Sequence, residues 1–139
     1  VHFMDGPVYP DEDDKFKKEK ICTTRVRIFH GPSVSHPNVE TYYSTTVQNR
    51  SQEPIRVYKF APIQKRYFFF YHDSGGYYSP LQFREWYRVA DEDGWIPPGE
   101  SVVDPDNWGR GFGVWAYFFE TERGDTFIGT APLNGKKSS

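Results

Sequence analysis

Ser74 sits in the run Asp73-Ser74-Gly75-Gly76, a hydroxyl beside a carboxylate with two glycines after it. A serine becomes a nucleophile only when a base takes its proton, a third group orients that base, and donors await the oxyanion. The histidines are His2, His30, His36 and His72. His30 and His36 fall in strand-end and loop contexts, and nothing in their spacing brings a base to Ser74. The competing reading is a turn. Asp73 forms an Asx-turn and glycine supplies positive φ, so the run links an aromatic strand to Tyr77 and Tyr78. The turn is the reading taken here, and Ser74 is not expected to be a nucleophile.

The same tetrapeptide resembles the nucleophile segment of trypsin-like serine proteases, and the likeness stops there. His72 precedes it where that family has glycine, and Tyr77 follows where that family has proline. A chain of 139 residues is also too short for the two β-barrels that hold such a triad.

Carboxylates offer a second chemistry. Glu100, Asp104, Glu120 and Glu122 are candidates for glycoside hydrolysis, which needs two acids at a set separation across the bond. Spacing alone places no two of them there, and acids in turns are normally solvated. Asp104, Asp106 and Asn107 also echo an oxygen-ligand calcium loop. The twelfth position counted from Asp104 is Trp115 rather than a bidentate Glu, so the EF-hand form fails. Asp91 to Gly94 is a second acidic turn; it and the first could share a calcium ion only if the fold brought them together. Asx-rich turns more often cap backbone groups. The histidines lack zinc or copper spacing, and no phosphate-cradling or dinucleotide glycine motif occurs, so no metal or cofactor is expected. In "WGRGFG" Arg110 stands between two glycines, where backbone and guanidinium could meet an anion.

Aromatics are the unusual component: 12 Phe, 10 Tyr and 4 Trp make up 19% of the chain. Most suit the half-buried faces of a β-rich core. Tyr77, Tyr78, Trp86, Trp95 and Trp108 instead lie in or beside loops and one insertion. Together with Arg110 they are the expected ligand-binding residues, for a protein or a carbohydrate ligand. The competing role for these rings is to cover the ends of the fold, with Trp95 pinning the turn before Pro97-Pro98.

The elements that would position these residues read mostly with period two. "TRVRIFH" alternates Val26 and Ile28 against Arg25 and Arg27, and "VETYYSTTVQN" alternates from Val39 to Val47. "IRVYKF" follows a polar turn, and "RYFFFYH" is aromatic on both faces, as a central strand covered on two sides would be. "IPPGESVVD" delivers a short strand from Ser101 to Val103, and "FGVWAYFFE" with "TFIGTA" forms a hairpin. One stretch breaks the pattern. Ser79, Pro80 and Gln82 form a capping box with proline at the first helical position, and Phe83, Trp86, Tyr87 and Ala90 share one helical face. Residues 1–20, with "DEDDKFKKEK", read as a flexible charged arm, residues 21–133 as one domain, and residues 134–139 as a tail.

This pattern predicts an all-β fold, an antiparallel immunoglobulin/fibronectin-like β-sandwich with one short helical insertion. The "TVQNRSQEPIRV" and "IPPGES" segments, with the final strand pair, resemble the layout of fibronectin-type sandwiches. Bacterial ApaG-type domains and a family of intracellular protease inhibitors share that layout, although the Gly-rich ApaG signature is missing. The likeness covers about Thr24 to Leu133 and implies fold alone.

Composition narrows function further. A net charge of −2 and a pI near 6.1 argue against non-specific nucleic-acid binding. No apolar run approaches the ~20 residues of a membrane-spanning helix. The single Cys22 excludes an intrachain disulfide. Asn49-Arg50-Ser51 matches a glycosylation sequon, and no leader precedes Val1, so the chain is expected to be cytoplasmic or exported after signal removal. The expectation is a non-catalytic recognition module. Alternatives are an inhibitor of a hydrolase, a small carboxylate hydrolase, and a structural subunit; homo-oligomers stay open.

Overall fold

The computed structural model describes residues 21–22, 24–66, 69–71 and 76–133. The expected N-terminal arm, the C-terminal tail and Ser74 lie outside them. Seven strands form in chain order: β1 (Val26–Pro32), β2 (Tyr42–Asn49), β3 (Ile55–Arg66), β4 (Phe69–Tyr71), β5 (Ser101–Trp108), β6 (Gly113–Thr121) and β7 (Thr126–Pro132). Among the described residues one helix, α1 (Pro80–Trp86), lies between β4 and β5. The strands make two antiparallel sheets, of order β1-β2-β5 and β4-β3-β6-β7. The described residues are therefore all-β with one short helix, as the periodicity predicts. Among the described residues no helix is long and apolar enough to cross a membrane.

Alternation does the sorting. Along β2, Tyr43, Thr45, Val47 and Asn49 are buried while the residues between them are not. Val26, Tyr43 and Val47 from the first sheet join Ile55, Val57, Phe60, Trp115, Tyr117 and Phe119 from the second in one core cluster. Close packing between the sheets is why Gly129 has no side chain. A Cβ there would lie 2.8 Å from both Ile28 Cδ1 and Val26 Cγ1, nearer than atoms in a packed interior approach.

Three expectations need correction. "RYFFFYH" does not supply a central strand: Phe69–Tyr71 is the edge strand of its sheet. The strand covered on both faces is β6, where Trp115, Tyr117 and Phe119 enter the main core. Its alternate residues Ala116 and Phe118 join a second cluster with Ala61, Ile63, Tyr77 and Ile128. Aromatic content on both faces does not distinguish an edge strand from a central one; hydrogen-bond partners do. Second, Val39 and Thr41 precede β2 rather than extend it, because Tyr42 N–H donates to Val39 O and closes a turn. Third, β5 runs on through Asp104–Trp108, residues expected to form an acidic loop.

The helix forms as its capping residues predict. Ser79 accepts from Gln82 N–H at 3.1 Å, and Gln82 Oε1 accepts from Ser79 N–H at 3.0 Å. It stops a turn early, since Tyr87 is the C-cap and Ala90 is exposed. Arg88 takes φ 55 and Val89 N–H donates to Arg84 O, a Schellman ending. Phe83 and Tyr87 pack into the main core. On either side of the helix, Tyr78 bridges to Phe60 and Ile96 to Ile55, so the insertion runs beside β3 and covers an edge that β4 alone leaves unpaired.

Asn49 illustrates how turn residues are used. Its Nδ2 donates to Glu53 O at 2.8 Å and Ile96 O at 2.9 Å. Its Oδ1 accepts from Ser51 N–H at 2.9 Å and Ser51 Oγ at 2.7 Å. The amide that a sequon would offer to a glycan is fully buried and consumed in clamping the β2–β3 turn.

Candidate binding surface

The residues expected to bind a ligand separate into two groups. Around α1 the rings turn inward. Tyr77 is 3% exposed and meets Phe118 edge-on at 5.4 Å between ring centres. Tyr78 is half-buried between Phe60, Trp86 and Trp115. Trp86 meets Phe60 edge-on at 5.5 Å. Trp95 lies under the Arg56 guanidinium, 4.4 Å from its ring centre, and Arg56 also donates to Glu120 at 2.8 Å. Phe60 is the hub, in ring contact with Tyr78, Phe83, Trp86, Tyr87, Trp115 and Tyr117. These side chains hold the insertion to the sheets.

Trp108 and Arg110 belong elsewhere. Trp108 ends β5, opposite Tyr42 at the start of β2. The β1–β2 loop (33–41) and the β5–β6 loop (109–112) therefore meet at one end of the molecule. Gly109 N–H donates to Thr41 O at 3.1 Å, and Arg110 Nη2 lies 4.0 Å from Glu40 Oε1. This end carries Phe112, 84% exposed, Val34, 72% exposed, and Trp108, 44% exposed, together with exposed Tyr42 and Val39. His36 stacks on Tyr42 with ring centres 4.3 Å apart. Trp108 and Arg110 are thus brought together with residues that sequence reasoning did not nominate: Val34, Val39, Tyr42 and Phe112. A signal for Phe112 was available, since an aromatic between two glycines that open a strand has little around it to pack against.

Both loops are braced from below. Asp106 accepts from Ser33 Oγ at 2.6 Å, from Ser35 N–H at 2.8 Å and from Ser35 Oγ at 2.9 Å, while His36 N–H donates to Ser33 Oγ at 3.0 Å. These bonds, the Ser33 hydroxyl first, hold the Asp106 carboxyl below the usual range. Serine, histidine and aspartate are all present, yet the wiring is not that of a catalytic triad. The aspartate binds the serine directly, and the histidine ring stacks on Tyr42 instead of contacting the serine hydroxyl. Under the second loop, Trp115 Nε1–H donates to Trp108 O at 3.0 Å and to Tyr43 Oη at 3.1 Å. Tyr43 Oη lies 2.6 Å from Leu133 O and 2.9 Å from Gly109 O, and burial pushes this phenol up to about 12. Gly113 fixes where β6 begins, since a Cβ there would lie 2.1 Å from Ile63 O and its φ is 153.

Behind the loops runs a buried polar chain. Pro132 O can only accept, so His30 Nε2 carries the proton it donates at 2.6 Å. His30 Nδ1 then accepts from Thr45 Oγ1 at 2.8 Å, and Thr45 accepts from Asn107 Nδ2 at 2.9 Å. Burial lowers the His30 pKa and keeps the ring neutral. Next to this chain Asp104, only 8% exposed, accepts from Asp106 N–H at 3.1 Å. Among the described residues no cation lies within ion-pair distance of it. Burial pushes its carboxyl up to about 6, with Asp106 adding repulsion and Arg88 opposing it. Two neighbouring carboxyls with pKa values driven apart form a pattern seen in acid–base pairs. Here Asp106 spends both oxygens on the loop and Asp104 faces the interior, so the pair acts as a brace.

Among the described residues the remaining acids do not converge into a site. Glu120 is held by Arg56, and Asp91 accepts from Asp93 N–H and Trp95 N–H in an Asx-turn. Comparison of the chain with protein-family models, with curated proteins and with solved structures returned no match.

Proposed function

We propose that the chain is a fibronectin-like β-sandwich acting as a non-catalytic recognition module, and that it binds a protein ligand with the loop end carrying Tyr42, Trp108 and Phe112. The strand orders β1-β2-β5 and β4-β3-β6-β7, with loops gathered at two ends, support the sandwich reading. One observation carries the binding reading. Large apolar side chains stand exposed on two adjacent loops whose backbones are fastened to β5 and β6. Exposed rings on a preorganised scaffold lose little freedom on binding, and such patches mark interaction sites on otherwise polar surfaces. A protein ligand suits this end better than a glycan, because Val34, Val39 and Phe112 offer exposed apolar area for a partner to cover.

The test is capture from a displayed random-peptide library and a printed glycan array. Peptide ligands are expected, with affinity falling tenfold or more in Trp108→Ala or Phe112→Ala and unchanged in Trp95→Ala (~1.4 kcal/mol per tenfold). Capture of glycans alone, or ligands indifferent to both loop substitutions, would overturn the reading.

A further inference from the structure

Asp104 puts a buried carboxyl on an edge strand. β5 ends its sheet, and its pairing with β2 is irregular at this point: Thr45 faces Asp104 and Tyr43 faces Asn107, so Pro105 and Asp106 stand opposite Ser44 alone. Such a β-bulge, with a proline that cannot donate to the ladder, leaves few hydrogen bonds holding the segment to its neighbour. Local bonds take their place. Asp104 Oδ1 accepts from Asp106 N–H at 3.1 Å, Asp106 clamps Ser33 and Ser35, and Val34 N–H donates to Pro105 O at 3.1 Å. The bulged segment and the β1–β2 loop are thus tied to each other. The groups around Asp104 decide what its charge does. Asp106, on its own strand, is held ionised, first by the Ser33 hydroxyl, and repels it. Tyr43 and Thr45 on β2, Tyr87 at the end of α1 and Tyr117 on β6 are neutral, since burial raises all three phenols. His30 on β1, one bond beyond Thr45, is kept neutral by burial. The exposed Arg88 attracts the carboxylate, but among the described residues no cation lies within ion-pair distance of it. Once ionised, Asp104 therefore lacks both water and a paired counter-charge. Lifting the bulged edge segment brings water to it while the rest of both sheets stays intact.

We propose that Asp104 is a proton-operated latch: protonated, it keeps the segment Asp104–Trp108 closed on the core and the β1–β2 loop clamped, and ionised, it releases both in local openings. This device does not depend on what the loop end binds. The closed segment holds the carboxyl at about 6, and an open, hydrated one returns it toward the ordinary 3.8. Between those values the closed form binds the extra proton, so closure is favoured at low pH and weakens as pH rises through 6. From the two values, the opening equilibrium rises about tenfold between pH 5 and 7.5.

Amide hydrogen exchange on the full chain, corrected for the intrinsic pH dependence of exchange, reads such openings. Protection of the Val34, Asp106 and Gly109 amides, which bond Pro105 O, Asp104 Oδ1 and Thr41 O, is expected to fall about tenfold from pH 5 to 7.5. The Phe60 and Tyr78 amides, bonded to each other's carbonyls beside the other sheet, should change less than about twofold. In Asp104→Asn, which keeps the Oδ1 acceptor and cannot ionise, the fall should vanish. Both sets of amides are read on the wild-type chain, so the comparison stands even if the variant folds poorly. Equal falls in both sets overturn the latch, because the charge then acts on global unfolding. Protection that is flat with pH overturns it too, as does a fall that survives in Asp104→Asn, which would assign the effect to another group such as His36.

Discussion

The aromatics around α1 and the aromatics at the β1–β2/β5–β6 end stand in similar sequence surroundings, among glycines, prolines and acids, and meet opposite fates. Tyr77, Tyr78, Trp86 and Trp95 are drawn into packing because the chain from Tyr78 to Ile96 runs along the open edge of β3. An edge beside a core needs a cover, and rings are the most area-efficient cover available. Trp108 and Phe112 sit where the two sheets end and the chain crosses between them; Trp108 keeps one edge-on contact with Trp115, at 6.0 Å between ring centres, and both rings stay exposed. The lesson concerns position rather than type. A ring beside a loop stays exposed only where no neighbouring element is left for it to cover.

Four measurements would break or sharpen that contrast, beginning with the largest effect. Phe83→Ala should cost about 3–5 kcal/mol, since it empties a fully buried ring site beside Phe60 and Tyr87. Chemical denaturation reads this directly, and a cost below 1 kcal/mol would mean that the insertion is an ornament rather than part of the core.

Asp104→Asn tests the brace behind the loop end. The folded-state pKa, about 6, lies above the ordinary carboxyl value of 3.8. The folded protein therefore holds the extra proton between those values, and the stability this confers is present below 3.8 and lost as pH rises through 6. At pH 7.5 the ionised carboxylate is a net cost of up to about 3 kcal/mol. The Asn variant is expected to be more stable than wild type there and to lose the advantage near pH 4. His30 acts in the other direction. Its lowered pKa gives stability that is present above 6.5 and lost on acidification. The variant's profile should therefore rise toward neutral pH, and an unchanged profile would show Asp104 to be solvated.

Trp95→Ala should cost about 1 kcal/mol through loss of the Arg56 stacking contact. A negligible cost would move Trp95 to the side of the free rings. Phe112→Ser should change stability by less than about 0.5 kcal/mol, as surface substitutions do. A larger loss would place Phe112 with the structural rings and remove it from the proposed binding end.

Much of the architecture was legible because period-two alternation is a local property. The burial of Tyr43, Thr45 and Val47 follows from it, as does the β6–β7 hairpin. The capping box at Ser79 was legible for the same reason: its donors and acceptors lie within three residues. The edge position of β4 was not, since "RYFFFYH" carries no record of which strand its hydrogen bonds meet. Asp104–Asn107 looked like a loop because Asp, Pro and Asn disfavour strands. Pairing with β2 overrides that preference and turns each polar group to a distant partner: Asp106 to Ser33, Asn107 to Thr45. Asn49 was visible only as a sequon, because its partners Glu53 O and Ile96 O are brought together by folding.

The sequence by itself determined the class of the fold, the faces of most strands and the helix start, since these depend on side-chain alternation and on neighbours a few residues apart. It also set the supply of aromatic rings. Only the tertiary structure decided which of them are spent. Tyr77 and Trp108 are equally good ligands for a partner as isolated side chains, and what separates them is whether another part of the chain arrives to bury them. That depends on contacts such as Tyr77 with Phe118 or Trp115 with Trp108 O, between elements whose proximity no local pattern encodes.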